Sequence, residues 1–418
     1  MKKNKILWLL CGLFSYDLVF AESSSEPVYL DYAAAVGINQ KSLDEFNRIA
    51  KMRGNSSGFN SNATALKEIE NNAAKIIAKK LNCEPNNILF TCSATMSNNV
   101  AILGVAYKYP AEKCHLITSK IDHKSVLNVF KHLEEKGYKV TYLNVDRFGR
   151  IDLDQLQKSI TKNTKLVSIQ SFNSEIGITQ NLQEISKIVR AHPGVLMHSD
   201  IAQSFGKYPI DVTCLDLATF SGYKIGSPKG IAALYIKDAN ALTPIAFGSG
   251  KSLWPGSVPT ELVAAFGVAV KNYKMDFEKI KNLFNVLRTE IQKIDNVFIN
   301  SAEPSHVFSV SISGVLLKDV INELNDFAFS SGCSCLGKGE SNVKEAIDPD
   351  GKLPSCTLRI SFADAVDQKI MINFAKRLNE VVSDLRKRKK ITEGCENKKS
   401  SQELADVLAN LEIESSKH

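Results

Sequence analysis

The chain has 418 residues, more than one core usually supports, so two domains are expected. With 44% hydrophobic and 23% charged residues it has the composition of an ordinary soluble globular protein. The formal charge of +7 falls to +5 once a leader carrying Lys2, Lys3, Lys5 and Asp17 is removed, and no long basic run with interleaved aromatics remains, so nucleic acid is not an expected partner. The nine cysteines are scattered without a CxxC pair, which argues against a disulfide scaffold and a structural zinc site; no metal is expected. Cys333-Ser-Cys335, just after Gly332, is the only cluster.

Residues 1–21 have the basic, apolar and small-residue segments of a secretory signal peptide, with cleavage expected after Ala21 and a periplasmic or secreted destination. The alternative is a non-cleaved extension on a cytoplasmic protein, favoured by Asp17 in the tail of the apolar segment. The segment is too short for a stable membrane span.

A short extended run at 28–35 leads into a helical stretch from Lys41, and a second helix begins at Thr64. From there strand-like apolar runs recur at 87–90, 115–118, 140–145, 166–169, 195–197, 217–220 and 231–236. Amphipathic segments such as 126–136 and 182–191 lie between them. This alternation implies an α/β protein with a mainly parallel sheet, covered on both faces and binding ligands at the carboxyl ends of its strands. Past Pro259 the pattern changes to one long helical stretch (261–294), strands at 307–312 and 357–362, and helices at 319–327 and 367–387. The expected division is a large domain over 28–260, whose first residues pack on the small one, a smaller α+β domain over 261–387, and a polar tail over 388–418.

Lys224 stands in Ser221-Gly-Tyr-Lys-Ile-Gly226, where the glycines permit a tight turn at the end of an apolar run. A partly desolvated lysine can lose its proton and form a Schiff base. Asp200 ends a neighbouring run. An aspartate and a lysine so placed are the two groups that pyridoxal phosphate requires, one for its ring nitrogen and one for its aldehyde carbon.

Eight stretches in order carry a family resemblance: Leu30-Asp-Tyr-Ala, Phe90-Thr-Cys-Ser-Ala-Thr, Asp122-His-Lys-Ser-Val, Asn173-Ser-Glu-Ile-Gly, Asp200-Ile-Ala-Gln-Ser, Ser221-Gly-Tyr-Lys, Ser330-Ser-Gly-Cys-Ser-Cys and Leu358-Arg-Ile-Ser. From Val28 to about Arg386 the chain resembles a cysteine desulfurase of the nitrogen-fixation and iron–sulfur-assembly type, in the class V aminotransferase superfamily. The resemblance implies a fold-type I enzyme with pyridoxal phosphate bound to Lys224, the phosphate held by Ser93, Ala94, Thr95 and Ser221, and the ring contacted by His123, Asp200 and Gln203. It also assigns His123 a part in proton transfer, Arg359 the substrate carboxylate and Cys335 the nucleophile that becomes a persulfide, with L-cysteine as substrate. A homodimer and a sulfur-acceptor protein or small thiol are the implied partners.

Three departures qualify it. Ser174 replaces an asparagine that touches the cofactor, beside Asn173; Tyr223 replaces a histidine; and Trp254-Pro-Gly-Ser257 replaces an Arg-x-Gly-Thr motif, leaving Ser257 to supply a hydroxyl. Competing readings are another class V reaction, such as cysteine or selenocysteine lyase or transamination, and a non-catalytic paralogue acting as a binding protein. For an exported chain, a strained Cys333–Cys335 disulfide is expected to be labile and a Cys335–Cys356 disulfide to form a more stable off state.

Overall fold

The structure is a computed structural model that describes residues 26–248, 252–331 and 341–389. The chain enters through β1 (Val28–Tyr29), followed by α1 (Gln40–Ile49) and α2 (Ser61–Leu81). Asn39 and Asn60 start these helices by accepting from first-turn amides. Strands and helices then alternate as β2 (Ile88–Thr91), α3 (Ala94–Ala106), β3 (His115–Ser119), α4 (Lys124–Glu135), β4 (Lys139–Leu143), α5 (Leu153–Ser159), β5 (Thr164–Ser168), α6 (Leu182–Arg190), β6 (Leu196–Asp200), β7 (Leu217–Ser221) and β8 (Ala232–Ile236).

These seven strands, β2 to β8, form one sheet in the order β2-β8-β7-β6-β5-β3-β4. Only β8 is antiparallel to its neighbours, so the other six strands share one direction and end at one edge. The expected mainly parallel sheet is present, and its strands are apolar on both sides because both sides are covered. Ile117, Val167, Ala218 and Ala233 face a core shared with α2, α6 and α7 (Thr260–Asn272), while their neighbours Leu116, Leu166, Leu217 and Leu234 face one shared with α3 and α4.

The expected helical run at 261–294 is two helices, α7 and α8 (Phe277–Ile291). Tyr273 is extended at the break, and Asp276 restarts the helix by accepting from Lys279 N at 3.0 Å. The break separates two cores. Val263, Phe266 and Val270 pack under the large sheet, whereas Ile280, Phe284 and Leu287 pack with β9 (Val297–Ile299), β10 (Val307–Ile312) and β13 (Cys356–Ser361). The small antiparallel sheet runs β12-β13-β10-β9, with β12 at Ser330–Ser331, and a helix over 368–389 covers it. Leu30 sits in this second core, because β1 pairs in parallel with β11 (Phe327–Ala328). Among the described residues no helix is long and apolar enough to cross a membrane.

Candidate active site

The shared carboxyl edge of the large sheet collects most of the candidate residues. After β2, Ser93 starts α3, its hydroxyl accepting from Met96 N at 3.2 Å, with Ala94 and Thr95 in the first turn. After β3 comes His123, which starts α4: its Nδ1 accepts from Ser125 N at 3.1 Å, so the ring proton sits on Nε2. The ring lies exposed at the mouth of the cleft, yet the surrounding walls lower its pKa first, with Lys224 and Lys124 acting the same way against Asp200. Asp200 closes β6 and accepts from Asn98 Nδ2 at 2.9 Å and from Ala202 N at 3.0 Å.

Beyond β7 the chain makes a short 3₁₀ turn, Gly222–Ile225, that ends at Gly226 with φ +85°. A side chain at Gly222 would meet Ser227 Cβ at 2.8 Å, so only glycine allows the fold-back that carries Lys224 into the cleft. Lys224 Nζ donates to the carbonyls of Ala33 and Ala34 and lies 4.9 Å from the Tyr223 ring centroid. Burial lowers its pKa to about 8, with Arg359 adding to the effect and Asp31 and Asp200 opposing it. Gln203 Nε2 donates to the same Ala33 carbonyl at 2.8 Å. The roof over Lys224 is thus the segment after β1, which is tied to β13 through Ala33 N and Ser361 Oγ at 2.9 Å.

Arg359 comes from β13 of the small sheet and is 1% exposed. Its Nη2 donates to Asp31 Oδ1 at 2.7 Å and Ser330 Oγ at 3.0 Å, and its Nη1 to Ser174 O at 3.3 Å. Asn173 is buried with its polar atoms turned to the backbone, donating to Ile121 O and accepting from the amides of Glu175 and Ile176. Its role here is to shape the loop that presents Ser174. Ser257 is exposed, and its hydroxyl accepts from Asn55 Nδ2 at 3.3 Å rather than meeting a residue of this cluster. Cys333 and Cys335 lie outside the described residues.

Buried polar atoms test the fit of pyridoxal phosphate. Ser221 Oγ and Arg359 Nε are buried and have no hydrogen-bond partner among the described residues. A hydroxyl so placed, together with the N-terminus of a thirteen-residue helix at Ala94, suits a phosphate; an orphaned guanidinium donor suits a carboxylate. The residues present fit the group.

Four contributors had no role assigned from sequence. Asn98 bridges Asp200 and Ser125, and its signal is a polar residue on the buried side of an apolar helix. Asp31 stands in a quoted motif and holds Arg359. Lys207 follows Gln203 at helical spacing and donates to it. Glu175 accepts from Ser341 Oγ.

Comparison with known proteins defines the class first. The aminotransferase class-V family matches residues 28–370, and the chain belongs to that family, whose members are fold-type I pyridoxal phosphate enzymes. Within it, curated relatives at 35–38% identity are cysteine desulfurases. The chain is 38% identical over 329 residues to the cysteine desulfurase IscS of Rickettsia rickettsii, covering 74% of this chain and 79% of the relative. Among solved structures, a NifS-like protein superposes with a TM-score of 0.78 at 26% identity, over 85% of this chain and 99% of its own. SspA in complex with cysteine gives a TM-score of 0.73 at 32% identity, over 80% of this chain and 98% of its own.

Proposed function

We propose that this cysteine desulfurase binds pyridoxal phosphate at Lys224 and converts L-cysteine to L-alanine, leaving the sulfur as a persulfide on Cys335. The carrying observation is the convergence of Lys224, Asp200, Gln203 and His123 at one sheet edge, with Arg359 reaching the lysine from the other core. The bound group would supply an electron sink for charge developing at the substrate Cα. Lys224 would hold it covalently, Asp200 would face its ring nitrogen, and Ser93, Ala94, Thr95 and Ser221 would take its phosphate.

The chain's own groups then divide the work. An amine whose pKa is near 8 exchanges its proton readily at neutral pH, so Lys224 Nζ is suited to moving a proton at the substrate. His123 Nε2 carries the second exchangeable proton at the cleft mouth, while Ser125 fixes the ring from behind. Arg359 offers its fork to a substrate carboxylate, in competition with Asp31. Both flanks of the 332–340 segment are tied to this site. Ser330 meets Arg359 and Asp31, and Asn342 Nδ2 donates to Lys120 O at 2.9 Å and to Asp122 O at 3.3 Å.

A homodimer completes the proposal, supported by Phe59 and Phe247, which are 103% and 89% exposed in the single chain. The test is product analysis with L-cysteine. Alanine and a protein persulfide are expected, Lys224→Ala loses cofactor retention and all turnover, and Cys335→Ala retains the cofactor without sulfur release. Pyruvate in place of alanine, or turnover by Lys224→Ala, overturns the proposal.

A further inference from the structure

Lys207 is only 7% exposed, and among the described residues no carboxylate pairs with it. A lone buried ammonium is among the costliest groups a core can hold, so its partners decide which form is present. They are Gln203 Oε1 at 3.2 Å and His306 Nε2 at 3.3 Å.

Ala33 O can only accept, so the Gln203 atom facing it is the NH2 group, and the amide oxygen must face Lys207, which donates. At the other end the Tyr208 hydroxyl, which accepts from His306 N at 3.2 Å, lies 2.7 Å from His306 Nδ1 and can give its own proton to that nitrogen. In that arrangement Nε2 carries the ring proton and donates to the lone pair of Lys207, the pairing that burial without a carboxylate favours because it leaves no uncompensated ammonium in the core. The imidazole is clamped in this pose by Phe172, whose ring stacks on it at 4.9 Å between centroids.

We propose that Lys207 and His306 are positioning residues, a neutral relay running from Tyr208 that locks the Gln203 amide with its oxygen away from Lys224 and its NH2 on the Lys224 side. The charged groups facing the relay all favour the neutral form. Lys224 opposes a proton on Lys207 after burial itself, and on His306 burial acts first, with Lys224 and Arg359 opposing a proton in the same sense. Only the consequence for the cofactor rests on the function proposed above: the locked NH2 would always meet the ring oxygen as a donor.

The test compares wild type with Lys207→Met in unfolding experiments from pH 7.5 to 9.5. The unfolded lysine is protonated there and the native one is not, so the wild-type unfolding constant should fall about tenfold more per pH unit of increase than that of the variant. Equal slopes overturn the proposal. Should Lys207→Met fail to fold, Tyr208→Phe keeps the stacked ring and removes the hydroxyl that faces both His306 Nδ1 and His306 N, and the steep region should shrink from its low-pH end; an unchanged profile is contrary. In the loaded protein, Lys207→Met and Gln203→Ala should shift the visible absorption alike, with the double variant shifting no further than either single one. Additive shifts overturn the positioning role. A protein with no visible band in any variant fails the cofactor reading, while the unfolding slopes still decide the relay.

Discussion

Glu175 shows how one residue of a motif can be read for stability as well as for chemistry. Its carboxyl accepts from Ser341 Oγ, yet burial outweighs that bond and the attraction of Arg359 and Lys124, raising its pKa to about 7. An unfolded glutamate ionises near about pH 4.3. Between those values the native state keeps a proton that the unfolded state has lost, so stability falls as pH rises and the full cost is present above about pH 7. Glu175→Gln removes the charge and keeps an acceptor for Ser341. The variant is expected to be more stable than wild type above pH 7 by on the order of 2 kcal/mol, with the difference vanishing towards pH 4. Denaturant midpoints at pH 5 and pH 8 check this; an equal or lower midpoint for the variant at pH 8 rejects it.

At the scale of elements, the glycine that closes the Asn173-to-Gly177 motif belongs to packing between the two cores. Gly177 has φ +75°, and a Cβ there would lie 2.6 Å from Val307 O, at the start of β10, and 2.5 Å from Ser305 Oγ just before it. Gly177→Ala is therefore expected to cost about 2 kcal/mol or more, through the left-handed backbone and the close contact together. A lowered urea midpoint with an unchanged m-value checks it; an unchanged midpoint refutes it. The repeating strands of the large sheet were legible in the sequence because strands covered on both faces are continuously apolar, and their carboxyl ends marked Lys224, Asp200 and His123. What stayed hidden depends on contacts between distant segments. The break at Tyr273 turns on a cap by Asp276, the roof over Lys224 comes from residues some 190 positions earlier, and the partners of Lys207 meet only in the folded chain. Periodicity reports which face of an element is buried and is silent on what it is buried against.

At the scale of the whole molecule the compartment decides the state of its thiols. We propose that the chain is exported and cleaved after Ala21. The first paired strand begins at Val28 and Leu30 is already in the small-domain core, so such a cleavage removes nothing that these contacts use. Export places Cys335 where thiols are oxidised. The expected Cys335–Cys356 off state meets an obstacle in the fold: Cys356 is fully buried in register with Ile312, and burial pushes its thiol up to about 12. A protonated thiol inside a core neither attacks nor is reached, so that bridge would require the small sheet to open. What remains is the pairing of Cys333 with Cys335, which lie outside the described residues and whose two-residue spacing is expected to make a strained, easily reduced bridge. Cys92, by contrast, is exposed beside Ser93 and should react with any thiol reagent. Protein recovered from an oxidising compartment is thus expected to begin at Glu22 and to gain activity on mild reduction. In the native state its Cys92 should label quickly and its Cys356 remain unlabelled until unfolding. Mass spectrometry of differentially alkylated peptides reads all of these together. A retained leader would reject the export, and Cys356 found in a disulfide would reject the argument from its burial.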